Sequence, residues 1–135
     1  MTNPTTTPIT GILTIGIPVT DQDRALDFYG GVLGFDTLMD TPIEQLGGRW
    51  LVVAPAGAAT SLALVPAGSE APAGVPTGIR LSTADAAALH AELVDRDVAV
   101  GPMLRWPGVP PMFSVTDPDG NGLSVTEVPT EGTDR

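Results

Sequence analysis

The chain has 135 residues, six basic against sixteen acidic side chains for a formal charge of −10, one histidine and no cysteine. All six basic residues are arginines (Arg24, Arg49, Arg80, Arg96, Arg105, Arg135), which excludes lysine Schiff bases and Walker-type phosphate loops. The missing cysteines exclude thiol nucleophiles, thiolate metal sites and disulfides; one histidine cannot build a multi-histidine centre, and the acidity argues against a nucleic-acid partner.

Hydrophobic residues, at 42%, are enough for a core, while 16 Gly and 14 Pro predict short elements and many turns. No apolar run approaches the roughly 18 residues that cross a bilayer. The start, MTNPTTTP, has no basic segment followed by an apolar one, so no signal peptide is expected. The expectation is a soluble, cytoplasmic protein with no membrane partner. The lysine-free, Ala/Gly/Pro-rich composition fits a high-GC bacterial genome.

In chain order, residues 1–8 read as a disordered N-terminus. Ile12 to Val19 alternates, with Leu13, Ile15, Ile17 and Val19 on one face and Ile12, Thr14 and Gly16 on the other, which predicts a strand. Thr20, with Asp23 three residues on, reads as the N-cap of a helix over 21–33, and Gly34 as its stop. Strands are expected near 35–40, 49–54 and 60–65, followed by a Pro/Gly/Ala linker over 67–76. The plan then repeats: a strand near 78–82, a helix over 84–96 capped by Thr83, a short strand near 98–100, and strands near 111–116 and 122–128. The turn Asp117-Pro118-Asp119-Gly120-Asn121 joins the last two, and 129–135 reads as a flexible tail. Phe35 after the first helix corresponds to Val98 after the second, a spacing of 63 residues that indicates internal duplication. The fold class is therefore α+β: two β-α-β-β-β modules (9–66 and 77–128) in one domain spanning 9–128. Neither sheet buries a face alone, so the two should share a centre as a cupped mixed sheet with helices on the outer face.

Three stretches, IPVTDQDRALDFYGGVLGF (17–35), GGRWLVVAP (47–55) and DPDGNGLSVTEV (117–128), together resemble the vicinal oxygen chelate superfamily, the glyoxalase / bleomycin-resistance / extradiol-dioxygenase group. The resemblance covers roughly residues 9–128. It implies modules that each wrap a sheet into a cup, and a ligand cavity closed by dimerisation or by joining the halves. Its enzymes hold one divalent metal with His, Glu or Gln on the cup face of four strands. Matched by motif, those positions fall on Thr14, near Ser61, on Gly78 and on Ser124. Hydroxyls and a glycine do not supply the three or four N/O ligands such an ion needs. Metal-dependent glyoxalase or dioxygenase chemistry is therefore not expected, and no metal or other cofactor is implied.

If Thr14 faces inward, parity puts Ile12, Gly16, Ala63, Val65, Arg80, Ser82, Gly122 and Thr126 inward too, and large aliphatic residues on the opposite face. Arg80 is the only charge on that inward set; it either grips an anionic oxygen of a ligand or pairs with a nearby acid. Trp50 and Trp106 can each stack on a planar ligand, Trp50 alternatively packing in the core. Met112 and Phe113, with Met39 and Met103, are adaptable lining or core. Glu44 sits in a loop near the expected cavity mouth. His90 reads as a half-exposed helix residue, and the aspartates as helix-end, surface and turn charges.

The sequence thus points to a metal-independent small-molecule binding protein of the drug-resistance branch. It would sequester an antibiotic or natural product, aromatic in part, in the interface cavity of a homodimer. Its candidate ligand contacts are Thr14, Glu44, Trp50, Ser61, Arg80, Trp106, Met112, Phe113 and Ser124. The alternative is a metal-independent isomerase, lyase or cyclase in which Arg80 and hydroxyls stabilise an oxyanion; its general base would be Glu44, Glu127 or His90. A regulatory module without a small ligand is the third reading.

Overall fold

Side-chain alternation along the strands lays down two four-stranded mixed sheets, in a computed structural model that describes residues 8–129. Apart from Pro8 and Pro129, the expected disordered N-terminus and flexible tail lie outside that range. The first sheet takes β1 (Thr14–Val19), β2 (Asp36–Ile43), β3 (Gly48–Ala54) and β4 (Ser61–Pro66) in the order β1-β4-β3-β2. The second takes β5 (Pro76–Thr83), β6 (Ala99–Val100), β7 (Met112–Thr116) and β8 (Gly122–Glu127) in the order β5-β8-β7-β6. In each, the first strand pairs parallel with the last and the rest are antiparallel, the same topology twice.

One face of every central strand is aliphatic and packs into a core that runs through both modules. Ile17, Leu51, Val53 and Leu64 from the first sheet and Phe113, Val115, Leu123 and Val125 from the second are all buried in it. Such burial is the main stabilising term, at about 1.5–3 kcal/mol per large side chain. The helices cover this aliphatic face.

Both helices begin later than the sequence pattern suggests. Asp21 caps α1 (Gln22–Leu26), its carboxylate accepting from the Arg24 amide at 3.0 Å, and Asp85 caps α2 (Ala86–Asp95), accepting from the Ala88 amide at 3.0 Å. An aspartate adds charge complementarity to the helix N-terminus, so it outcompetes the threonine beside it. Thr20 is left free to bond Asp119 through both its amide and its hydroxyl. The first helix also widens into a π-helical segment, Asp27–Val32, with the Leu33 amide reaching the Phe28 carbonyl at 2.9 Å. Gly30 and Gly31 lie in that segment, where their poor α-helical propensity makes the departure cheap. Gly34, at φ +81°, ends it as expected.

The expected turn at 117–121 does more than join β7 to β8. Asp117, buried, accepts from the Tyr29 hydroxyl at 2.8 Å, the Asn121 side-chain amide at 3.0 Å, and the backbone amides of Asp119 and Asn121 at 2.9 Å each. Asn121, fully buried, donates to the Pro18 carbonyl at 2.8 Å and accepts from the linker amides of Gly74 and Val75 at 2.8 and 3.0 Å. Arg24 reaches Asp119 at 2.9 Å. The turn therefore clasps the end of β1, the first helix and the inter-module linker in one satisfied polar network.

Candidate functional site

The face of each sheet opposite the helices carries short side chains. On the first sheet the register sets Thr14 beside Ser61, Gly16 beside Ala63, Ala63 beside Val52, and Trp50 beside Thr41. Burial there is deepest at the floor, with Ala63, Ser61 and Val52 buried, Thr14 and Trp50 half-buried, and Gly16 and Thr41 exposed. Burial is thus deepest on the central strands β4 and β3 of this face, the one expected to be concave. On the second sheet the rows are Arg80, Ser124 and Ser114, then Ser82, Thr126 and Met112. Arg80, Ser82 and Ser114 are exposed and the others half-buried.

The sequence-derived candidates separate on this geometry. Thr14, Ser61, Trp50, Arg80, Ser124 and Met112 all belong to the concave faces by register. Phe113 does not: it has the opposite parity, is 1% exposed, and packs edge-on against His90 with ring centroids 4.9 Å apart. It is core under α2, a correction to its reading as a lining residue. Trp106 is exposed in the loop before β7, where the Leu104 bridge to Met112 brings the chain back to that strand. Glu44 is exposed in a short 3-10 turn (Glu44–Leu46) after β2. Met39 is exposed on the concave side of β2, whereas Met103 packs against the core.

The metal positions implied by the family resemblance do not fit a divalent ion. The hydroxyls of Thr14 and Ser61 bond each other at 2.6 Å, and Ser61 also reaches the Leu13 carbonyl at 3.2 Å. Gly78 offers no donor and lies in a bulge of β5 at φ +76°. Among the described residues no three His, Asp or Glu side chains stand close enough to share an ion. The donor set is neutral and hydroxyl-only, so we derive no metal chemistry here.

Electrostatics leave two arginines, Arg80 and Arg105, without an ion pair among the described residues. Arg49 is shared by Asp40 at 3.0 Å and Asp23 at 2.7 Å, Arg24 is on Asp119, and Arg96 is on Glu92 at 3.6 Å. The hydrogen bond from Arg49 holds the Asp40 carboxyl below its ordinary range. In turn Asp40 and Asp23 push the Arg49 guanidinium above its own. Arg80 makes no ion pair or side-chain hydrogen bond among the described residues. It borders a cavity of about 250 Å³ with Gly78, Gly122 and Ser124, and a second of about 490 Å³ with Ile12, Phe35 and Leu62. Two further cavities lie off the concave faces: about 550 Å³ between Leu33, Phe35, Leu81 and Leu89, and about 440 Å³ between the π-helical segment and the end of α2.

Two of the three general bases weighed from sequence are engaged elsewhere, and the third, Glu44, is exposed on its loop. His90 Nε2 is 2.8 Å from the Gly101 carbonyl, and Glu127 accepts from the Ala86 amide at 3.0 Å, capping α2. The roles of Tyr29, Asp117 and Asn121 went unread in the sequence. The available signal was Asn121 itself, an amide placed directly after Gly120 where a turn needs internal hydrogen bonds.

Two β-α-β-β-β sheets with paired concave faces have a counterpart among known families. The model of the Glyoxalase/Bleomycin resistance protein/Dioxygenase superfamily matches residues 11–125. The chain belongs to that superfamily. Within this superfamily it is similar to TnmS3, an antibiotic binding protein from Streptomyces sp. CB03234, at 38% identity and TM-score 0.81, covering 93% of this chain and 100% of that one. A glyoxalase/bleomycin resistance protein from the same organism is 40% identical at TM-score 0.75, over 86% and 99%. A superfamily member from Sphaerobacter thermophilus DSM 20745 is 33% identical at TM-score 0.80, over 89% and 98%. An uncharacterized protein of Shewanella frigidimarina (strain NCIMB 400) matches over 46 residues at 44% identity. This match covers 34% of each chain, so only about a third of that relative is spanned.

Proposed function

We propose that this chain is a metal-independent, cytoplasmic small-molecule binding protein that sequesters an antibiotic or natural product in a cavity closed by a second copy. The carrying observation is the pair of concave faces, furnished with short side chains and hydroxyls and with no donor set for a metal. TnmS3, similar over its full length, is by name an antibiotic binding protein, which favours binding over turnover. The occupation of His90 and Glu127 by structural hydrogen bonds points the same way, since it leaves the enzymatic alternative only Glu44, on an exposed loop, as a base.

Size argues for a second copy. The cavity on the second concave face, about 250 Å³, is smaller than the roughly 300–1,000 Å³ of a drug-sized site. Unpaired edges of β1 and β5, and the exposed Ile9, Ile12, Leu13, Leu38 and Met39, supply the apolar rim such an interface uses. Trp50 and Met112 then offer apolar walls to a partly aromatic ligand. Thr14, Ser61 and Ser124 line the floor, while Trp106 and Glu44 stand on loops at the mouth.

Native mass spectrometry of untagged protein tests this reading directly. The expected species is a metal-free dimer, with or without a retained organic molecule. A monomer would remove the closed cavity, and a stoichiometric divalent metal would return the chain to metal chemistry.

A further inference from the structure

We infer that Arg80 makes the concave face selective for ligands bearing an anionic oxygen pair, a carboxylate or a phenolate beside a second oxygen. This deepens the binding reading above and rests on it. The chain carries sixteen acids against six arginines, so each arginine has an excess of carboxylates to find. Arg24, Arg49 and Arg96 each find one. Among the described residues Arg80 and Arg105 do not, and of these two Arg80 sits in a strand, directly across from Ser124. It is also the only charged side chain on the concave face of the second sheet, whose other members in that row are Ser124 and Ser114, with Ser82 in the next.

The chemistry of that patch is directional. A guanidinium presents parallel N–H donors that match two oxygens held in one plane, and it cannot lose its proton to accept instead. Serine hydroxyls beside it rotate to donate to the same oxygens. A cationic ligand group would meet a fixed like charge on the concave face, whatever the acidity of the outer surface. Place adds an apolar neighbour: Arg80 borders both the small cavity on the concave face and a second one with Ile12, Phe35 and Leu62 on its walls.

The test uses two probes of one shape, 2-naphthoate and 2-naphthamide, titrated by their fluorescence into the whole protein and into Arg80→Gln and Arg80→Lys. Wild type should hold the carboxylate about tenfold more tightly than the amide. Arg80→Gln should lose that preference while binding the amide as before, and Arg80→Lys should keep part of it, having the charge without the fork. Equal affinity of wild type for both probes, or a preference that survives in Arg80→Gln, overturns the role of Arg80 and leaves the cavity reading standing. Binding of neither probe overturns both. An unfolding midpoint shared by all three proteins excludes a folding artefact, as the Arg80 side chain makes no hydrogen bond among the described residues whose loss would destabilise the chain.

Discussion

Alkaline pH isolates a single buried group in this chain. With no lysine and no cysteine, Tyr29 is the only side chain whose ordinary value falls between about pH 8 and 12. Its hydroxyl is fully buried and donates to Asp117 at 2.8 Å. Burial first, and then the carboxylates of Asp117 and Asp119, push it far above its ordinary 10.0. Arg49 is pushed up by Asp40 and Asp23, so it stays charged over the same window.

The sign follows from which state releases the proton. A raised value in the fold means that the native state keeps the phenol protonated while the unfolded chain ionises above about pH 10. The stabilisation is therefore complete below that pH and is lost as pH rises through and beyond it. One proton corresponds to a slope of about −1.4 kcal/mol per pH unit, or about 2.7 kcal/mol lost by pH 12. Guanidinium unfolding at intervals from pH 8 to 12 measures the slope, and near-ultraviolet phenolate absorbance of the folded protein reports the titration itself. The wild type should show the slope with no phenolate until it unfolds. Tyr29→Phe should start about 1–2 kcal/mol less stable at neutral pH, since Asp117 loses one donor of four, and then remain flat. A phenolate signal titrating near pH 10 in folded protein, or an unchanged slope in the phenylalanine variant, would refute the buried clasp.

Two further outcomes follow from the same structure. Asn121→Ala removes a fully buried amide that ties Pro18, Gly74, Val75 and Asp117 together, and should cost about 2–4 kcal/mol in chemical denaturation. Leu13→Glu replaces a side chain 80% exposed in the single chain, so sedimentation should show a monomer with a nearly unchanged unfolding midpoint if Leu13 belongs to the interface between copies.

The repeat, the strand parity and the placement of most concave residues were readable because they depend on period-2 alternation, which survives small errors in boundaries. Arg80, Ser82, Ser124 and Thr126 share one face for that reason, whereas Trp50 and Met112, left open between lining and core, are put on a face only by their ladder partners. Phe113 failed by one step of the same rule: it is adjacent to Met112, and neighbours in a strand face opposite ways, so both could never line the cup. The helix caps were missed by one or two residues because Thr20 and Asp21, or Thr83 and Asp85, are all competent caps. Only the long-range demand of Asp119 on Thr20 decides the first case. The clasp around Asp117 was out of reach for a deeper reason. Its long-range bonds join residues 46 to 103 apart, and no local periodicity encodes them.

Backbone geometry carries the mismatch with metal chemistry further than side-chain identity does. Along β5, Pro76 stands across from Gly122 and Arg80 across from Ser124, so β5 spends four residues where β8 spends two. The surplus is taken up by a bulge at Thr77–Ile79, stitched by the Thr77 hydroxyl donating to the Gly122 carbonyl at 2.7 Å and accepting from the Ile79 amide at 3.1 Å. Gly78 sits in that bulge at φ +76°, where a residue with a Cβ is strained although open space surrounds it. A histidine there would have to distort the bulge before it could reach inward. The residue that the ladder does place beside Ser124 is a permanently charged arginine, which would repel a divalent ion rather than hold one. One substitution would therefore not restore a metal centre. The same bulge that displaces Gly78 leaves Arg80 in register with the hydroxyls of Ser124 and Ser114, so the positive charge that this chain itself brings to the face of the second sheet is a guanidinium.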